Sequence, residues 1–157
     1  MKQLFKIFVE QLRDGHKEII REQFPAGFME VSEKDLKFVE PVHVAGEAYL
    51  AEQELILRFQ AQATAEMPCI ICNEPVKVPI LLEDMYHAIP LEEIKSGVYD
   101  FKNLLRENIL LETPAFAECH SGECPNRKEI TKYLKKENSN SEQDEGYQPF
   151  ADLDWDR

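Results

Sequence analysis

Four cysteines in two tight pairs constrain this chain more than any other feature. Cys69 and Cys72 stand in Pro68-Cys-Ile-Ile-Cys-Asn-Glu-Pro75, and Cys119 and Cys124 in Glu118-Cys-His-Ser-Gly-Glu-Cys-Pro125. There are 4 cysteines in all. Thiolates separated by two to four residues can grip one metal ion from a short knuckle, and two such pairs complete a tetrahedral set with no ligand position open. The spacing predicts one structural Zn²⁺ at Cys69, Cys72, Cys119 and Cys124, with backbone N–H groups donating to the sulfurs. Two readings stand beside it: two separate thiol pairs without metal, and a redox pair at Cys69 and Cys72. The redox reading wants a thiol at a helix N-terminus near a βαβ unit, whereas this pair falls between strands. His120 is next to Cys119 and reads as a bystander; His16, His43 and His87 are scattered.

The chain of 157 residues suits one domain, 1–136, followed by an acidic tail, 137–157. No apolar run approaches a membrane span. The opening ten residues are too short and too charged for a secretion signal, which predicts a cytoplasmic protein. In a reducing compartment paired cysteines favour metal over disulfide.

Net charge is −12 and the sequence pI is about 4.8. Phosphate binding draws on Lys and Arg, so bulk attraction to nucleic acid is excluded. The tail carries seven acidic residues against Arg157. Just before it, residues 127–136 hold five cations (Arg127, Lys128, Lys132, Lys135 and Lys136) against Glu129. The acidic balance predicts a basic protein partner. The cationic segment is the one plausible RNA-facing surface, but five cations beside an acidic tail are a weak RNA footprint, and the favoured reading is a solvated helix face with lysines near its C-terminal end.

Periodicity places the pairs on elements. Residues 4–9 read as a strand, and residues 10–24 as a helix interrupted at Gly15. Residues 42–50 alternate around Gly46, a candidate bulge or bend. Leu55, Leu57, Phe59, Ala61 and Ala63 alternate with polar neighbours, as a half-buried strand does. Val76, Val78, Ile80 and Leu82 return from it, so the first cysteine pair belongs at the tip of a hairpin. Residues 83–97 read as an acidic connection. Asp100 can cap a helix whose apolar face is Phe101, Leu104, Leu105 and Ile109, ended by Pro114. Asn126 can open a second helix to about Lys136, with Ile130, Tyr133 and Leu134 on its apolar side. The fold class expected is α+β: an antiparallel sheet or partly open barrel with helices packed on it, and a zinc knuckle. Tyr147, Phe150, Leu153 and Trp155 are large apolar groups in the acidic tail. They either dock on the domain or form a partner-binding peptide.

The stretch from Tyr99 to Pro114 resembles the signature of the bacterial YceD family, the large ribosomal RNA subunit accumulation proteins. Its apolar-Asp opening, later Glu, Ile/Leu run and closing Pro match Tyr99, Asp100, Phe101, Glu107, Ile109, Leu110, Leu111 and Pro114. Cys69, Cys72, Pro75 and Val76 are similar to the family's upstream motif. Cys119, Gly122, Cys124 and Pro125 are similar to its downstream one, and Gln148-Pro-Phe-Ala-Asp-Leu153 to its closing motif. Asn126-Arg127 stands where many relatives carry a further Cys-Gly, and Thr113 where Leu is usual. The resemblance implies a non-enzymatic role in ribosome biogenesis, in synthesis, processing or stability of 23S ribosomal RNA. It suits a basic large-subunit ribosomal protein or a pre-ribosomal particle as partner. A direct RNA-binding module centred on residues 127–136 is the alternative. No Gly-rich phosphate loop or Ser-His-Asp order is present, so no enzyme is expected.

Overall fold

A computed structural model of the chain describes residues 4–130 and residue 133. The tail residues 137–157, and with them Tyr147, Phe150, Leu153 and Trp155, lie outside the described residues, as do Lys132, Lys135 and Lys136.

The fold is mostly antiparallel sheet. Short strand β1 (Lys6–Phe8) leads to a 3-10 turn, Val9–Gly15, and then β2 (Glu18–Phe24). A second 3-10 turn, Ala26–Met29, precedes β3 (Lys37–Phe38), β4 (Val42–Ala51), β5 (Glu54–Pro68) and β6 (Pro75–Pro90). A turn at Leu91–Glu93, strand β7 (Val98–Asp100) and helix α1 (Lys102–Glu112) follow.

β5 and β6 form the expected hairpin, paired from Glu54↔Pro90 to Pro68↔Pro75. β4 lies on the other edge of β5 and β2 on the far edge of β4. β3 continues the β4 edge of β5. Between Phe38, paired with Ala65, and His43, paired with Gln62, five steps on one strand face three on the other. Pro41 sits in that interruption, where it need not donate to the ladder. The sheet is open: β1 pairs with β7 as a separate two-stranded ribbon.

Alternation on β5 buries Leu55, Leu57, Phe59, Ala61, Ala63 and Ala65 on one face. Phe5, Phe24, Phe28 and Phe101 complete this core, with Phe5 stacked on Phe24 at 4.0 Å between ring centroids. Leu105 and Ile109 of α1 pack into it. Asp100 Oδ1 accepts the Lys102 N–H at 2.9 Å, satisfying one donor at the start of α1. Thr113 ends the helix: its N–H donates to the Ile109 and Leu110 carbonyls.

Three expectations are corrected. Residues 10–24 are not a broken helix. The left-handed backbone of Asp14 (φ 64°) and Gly15 (φ 80°) ends the first turn. Glu18–Phe24 then pairs residue by residue with β4, burying Ile20 and Phe24, so tertiary pairing overrides local helical pattern. Gly46 makes no bulge. It keeps the β4–β5 register, and a Cβ there would lie 2.2 Å from the Arg58 carbonyl oxygen and 2.6 Å from Phe59. The bulge is on β6 instead, inside the supposed acidic connection. Gln60 faces both Glu83 and Asp84, and Asp84 takes φ 50°. That extra residue returns Met85 and Ile89 to the core side already held by Ile80 and Leu82.

Candidate metal centre

The β5–β6 hairpin delivers the first cysteine pair at its tip. The Asn73 N–H donates to the Cys69 carbonyl at 2.9 Å, and the Cys69 N–H to the Glu74 carbonyl at 2.7 Å. Asn73 takes φ 63°, which Asn tolerates better than most side chains. The second pair arrives along residues 114–118, which leave α1 at Pro114. There the Ile70 N–H donates to the Ala117 carbonyl at 2.8 Å, and Cys69 and Ala117 form a parallel bridge. That bridge places Cys119 beside Cys69 across 50 residues of chain. His120, Ser121 and Gly122 are all left-handed (φ 55°, 55° and 92°), and coil the chain back to Cys124. Glycine adopts this backbone freely; His and Ser there are strained.

The four Sγ atoms lie within 4.8 Å of one another, and Cys72 Sγ is 3.6 Å from Cys119 Sγ. All four cysteines are free, with Cys69 and Cys124 buried and the other two half-buried. Four sulfurs so placed could hold a metal ion. The Ile71 and Cys119 N–H groups both donate to Cys69 Sγ at 3.4 Å. Burial pushes the Cys69 thiol up, but the N–H groups of Cys119, Cys72 and Ile71 outweigh it and bring it to about 6. At Cys72 the Glu74 N–H favours the thiolate, yet burial and neighbouring sulfurs leave it raised. Cys119 is pushed strongly upward by burial and then by the other three sulfurs. The arrangement thus accepts one thiolate readily, and further ionisation needs positive charge among the sulfurs.

A residue that sequence reasoning missed secures the second loop. Glu118 Oε1 accepts the Cys124 N–H at 3.1 Å and Arg127 Nε at 2.9 Å, while Oε2 accepts Arg127 Nη2 at 2.7 Å. The Arg127 bonds, then the Cys124 N–H, hold this carboxyl down at about 2. Its one sequence signal is adjacency to Cys119, which says nothing about what the carboxylate would meet. A hollow of about 250 Å³ opens beside the knuckle, rimmed by Asp35, Met67, Ile70 and Phe116.

The remaining candidates are placed as follows. His120 is exposed and outside the sulfur cluster. Arg127 is committed to Glu118, and Lys128 lies on the single helical turn Arg127–Ile130. Ile130 and Tyr133 do not form a packed apolar side: Tyr133 is 86% exposed. Glu107 is exposed on α1, and Asp100 serves the helix start. Among the described residues no helix is long and apolar enough to cross a membrane. No family model, no curated protein and no solved structure matches the chain.

Proposed function

We propose that this protein is a non-enzymatic ribosome-biogenesis factor whose four cysteines hold one structural Zn²⁺. The observation that carries the reading is the convergence of four sulfurs, with no other ligand type among them. Zinc–thiolate bonds of about 2.3 Å in a tetrahedron put sulfurs about 3.8 Å apart, close to the Cys72–Cys119 separation. Two positive charges supply what the crowded thiolates lack. With all four positions taken by the chain, nothing is left for a substrate or an activated water, so the ion would clasp the hairpin tip to the segment after α1.

The ribosomal part rests on the order of motifs that resemble the YceD family and on the charge. A surface of net −12 favours a basic large-subunit ribosomal protein or a pre-ribosomal particle as partner. The alternative, direct RNA contact through residues 127–136, is disfavoured at one position: Arg127 already spends its guanidinium on Glu118. Capture of basic large-subunit proteins by the purified chain, weakening from 50 mM to 500 mM salt, is the expected result. Retention of large-subunit RNA in their absence, lost on Lys128→Glu with Lys132→Glu, would turn the reading to the RNA module.

A further inference from the structure

The hollow beside the knuckle is walled by the contact that brings the sulfurs together. The Ile70 N–H donates to the Ala117 carbonyl at 2.8 Å, which sets Ile70 beside the segment carrying Phe116. Both side chains stand in water, Ile70 59% exposed and Phe116 73%, and neither joins the main core. Exposed apolar residues scattered singly are ordinary, whereas a group of them around a concavity marks a contact surface. Met67, Pro68 and Ala115 continue the apolar wall.

One carboxylate breaks that wall. Asp35 lines the hollow, is exposed, and forms no ion pair among the described residues. No cation lines the hollow, so the carboxylate is unanswered there. The volume, about 250 Å³, lies below the roughly 300–1,000 Å³ of small-molecule pockets and suits one large side chain. An aliphatic wall, an aromatic ring and one carboxylate together complement arginine, whose stem is apolar and whose guanidinium stacks on rings and pairs with carboxylates. The net charge of −12 draws such a side chain from a basic protein.

We infer that the hollow is the docking pocket for an arginine side chain of a basic protein partner. The stem lies against Ile70 and Met67, and the guanidinium reaches the Phe116 ring and the Asp35 carboxylate. This rests on the reading of a basic protein partner and adds where that partner is gripped; it does not depend on which metal the sulfurs hold.

Two end-capped peptides test it, Gly-Ser-Arg-Ser-Gly and its citrulline counterpart, which keeps the shape and loses the charge. Added to the full-length protein at millimolar concentration, the arginine peptide should shift the amide signals of residues 35, 70 and 116 saturably. The citrulline peptide should bind about 2–5-fold more weakly. Asp35→Asn and Phe116→Leu should each weaken the arginine peptide by a similar factor. Glu92→Gln, which removes an exposed charge at the other end of the β5–β6 hairpin, should not. Equal weakening by Glu92→Gln would reduce the effect to net charge and overturn the pocket. So would equal binding of the two peptides, or shifts confined to another surface. Capture of basic large-subunit proteins that survives Asp35→Asn combined with Phe116→Leu would also overturn the pocket, while leaving the partner reading intact. Peptide binding at these residues without any such capture would support the pocket and remove the ribosomal partner.

Discussion

Cys69 is the hub of the sulfur cluster because two backbone N–H groups point at its Sγ, one from each loop. Its place in the cluster depends on both loops being closed, and Glu118 closes the second. Replacing a ligand and replacing this carboxylate should therefore differ in degree. Cys119→Ser should remove stoichiometric zinc under competition with a chromogenic chelator. Glu118→Gln should retain the ion with affinity weakened by roughly 10–100-fold, as for residues that orient ligands. Glu118 also gives a pH signature. Its folded value of about 2 lies below the ordinary 4.5, so its stabilisation is present above pH 4.5 and is lost as pH falls toward 2. Unfolding midpoints of wild type and Glu118→Gln should differ most above pH 5 and converge near pH 2. A difference constant across that range would separate Glu118 from the acid response.

The strands show where pattern and pairing agree and where they part. β5 and the returning β6 follow their alternation, since a strand buried on one face must repeat every two residues. β2 was hidden by the same rule: residues 18–24 carry Ile19, Ile20 and Phe24, a set compatible with either period. Only the β4 partner selects the strand. Gly46 is a second case. Glycine within a strand signals either a bulge or a close approach, and the closeness of the β5 backbone selects the latter. Gly46→Ala must push β4 from β5 and should cost about 1–3 kcal/mol in urea unfolding. Phe24→Ala, emptying the centre of the aromatic cluster, should cost about 3–5 kcal/mol by the same measurement.

Across the molecule the apolar core and the sulfur cluster are separate. The main core includes none of the cysteines. A metal held by the four sulfurs would then act as a clasp at one end of a sheet that has its own packing. Chelation of the zinc-loaded protein should raise amide exchange in residues 68–75 and 114–127 while β4, β5 and β6 keep their protection. Uniform loss of protection would instead make the ion a condition of the whole fold. The acidic charge acts at this scale as well, over distances that salt screens, whereas the clasp should be insensitive to salt.

The cysteine spacing, the β5–β6 hairpin and the apolar face of α1 follow from the chain alone, because each is a short-range repeat written in neighbouring residues. The open sheet, the β2–β4 pairing, the bulge at Asp84 and the Glu118–Arg127 clasp do not. Each depends on which distant segments meet. Spacing tells how many thiols a loop can offer; only the folded chain, through the Ile70–Ala117 hydrogen bond, decides that two loops offer theirs to the same point.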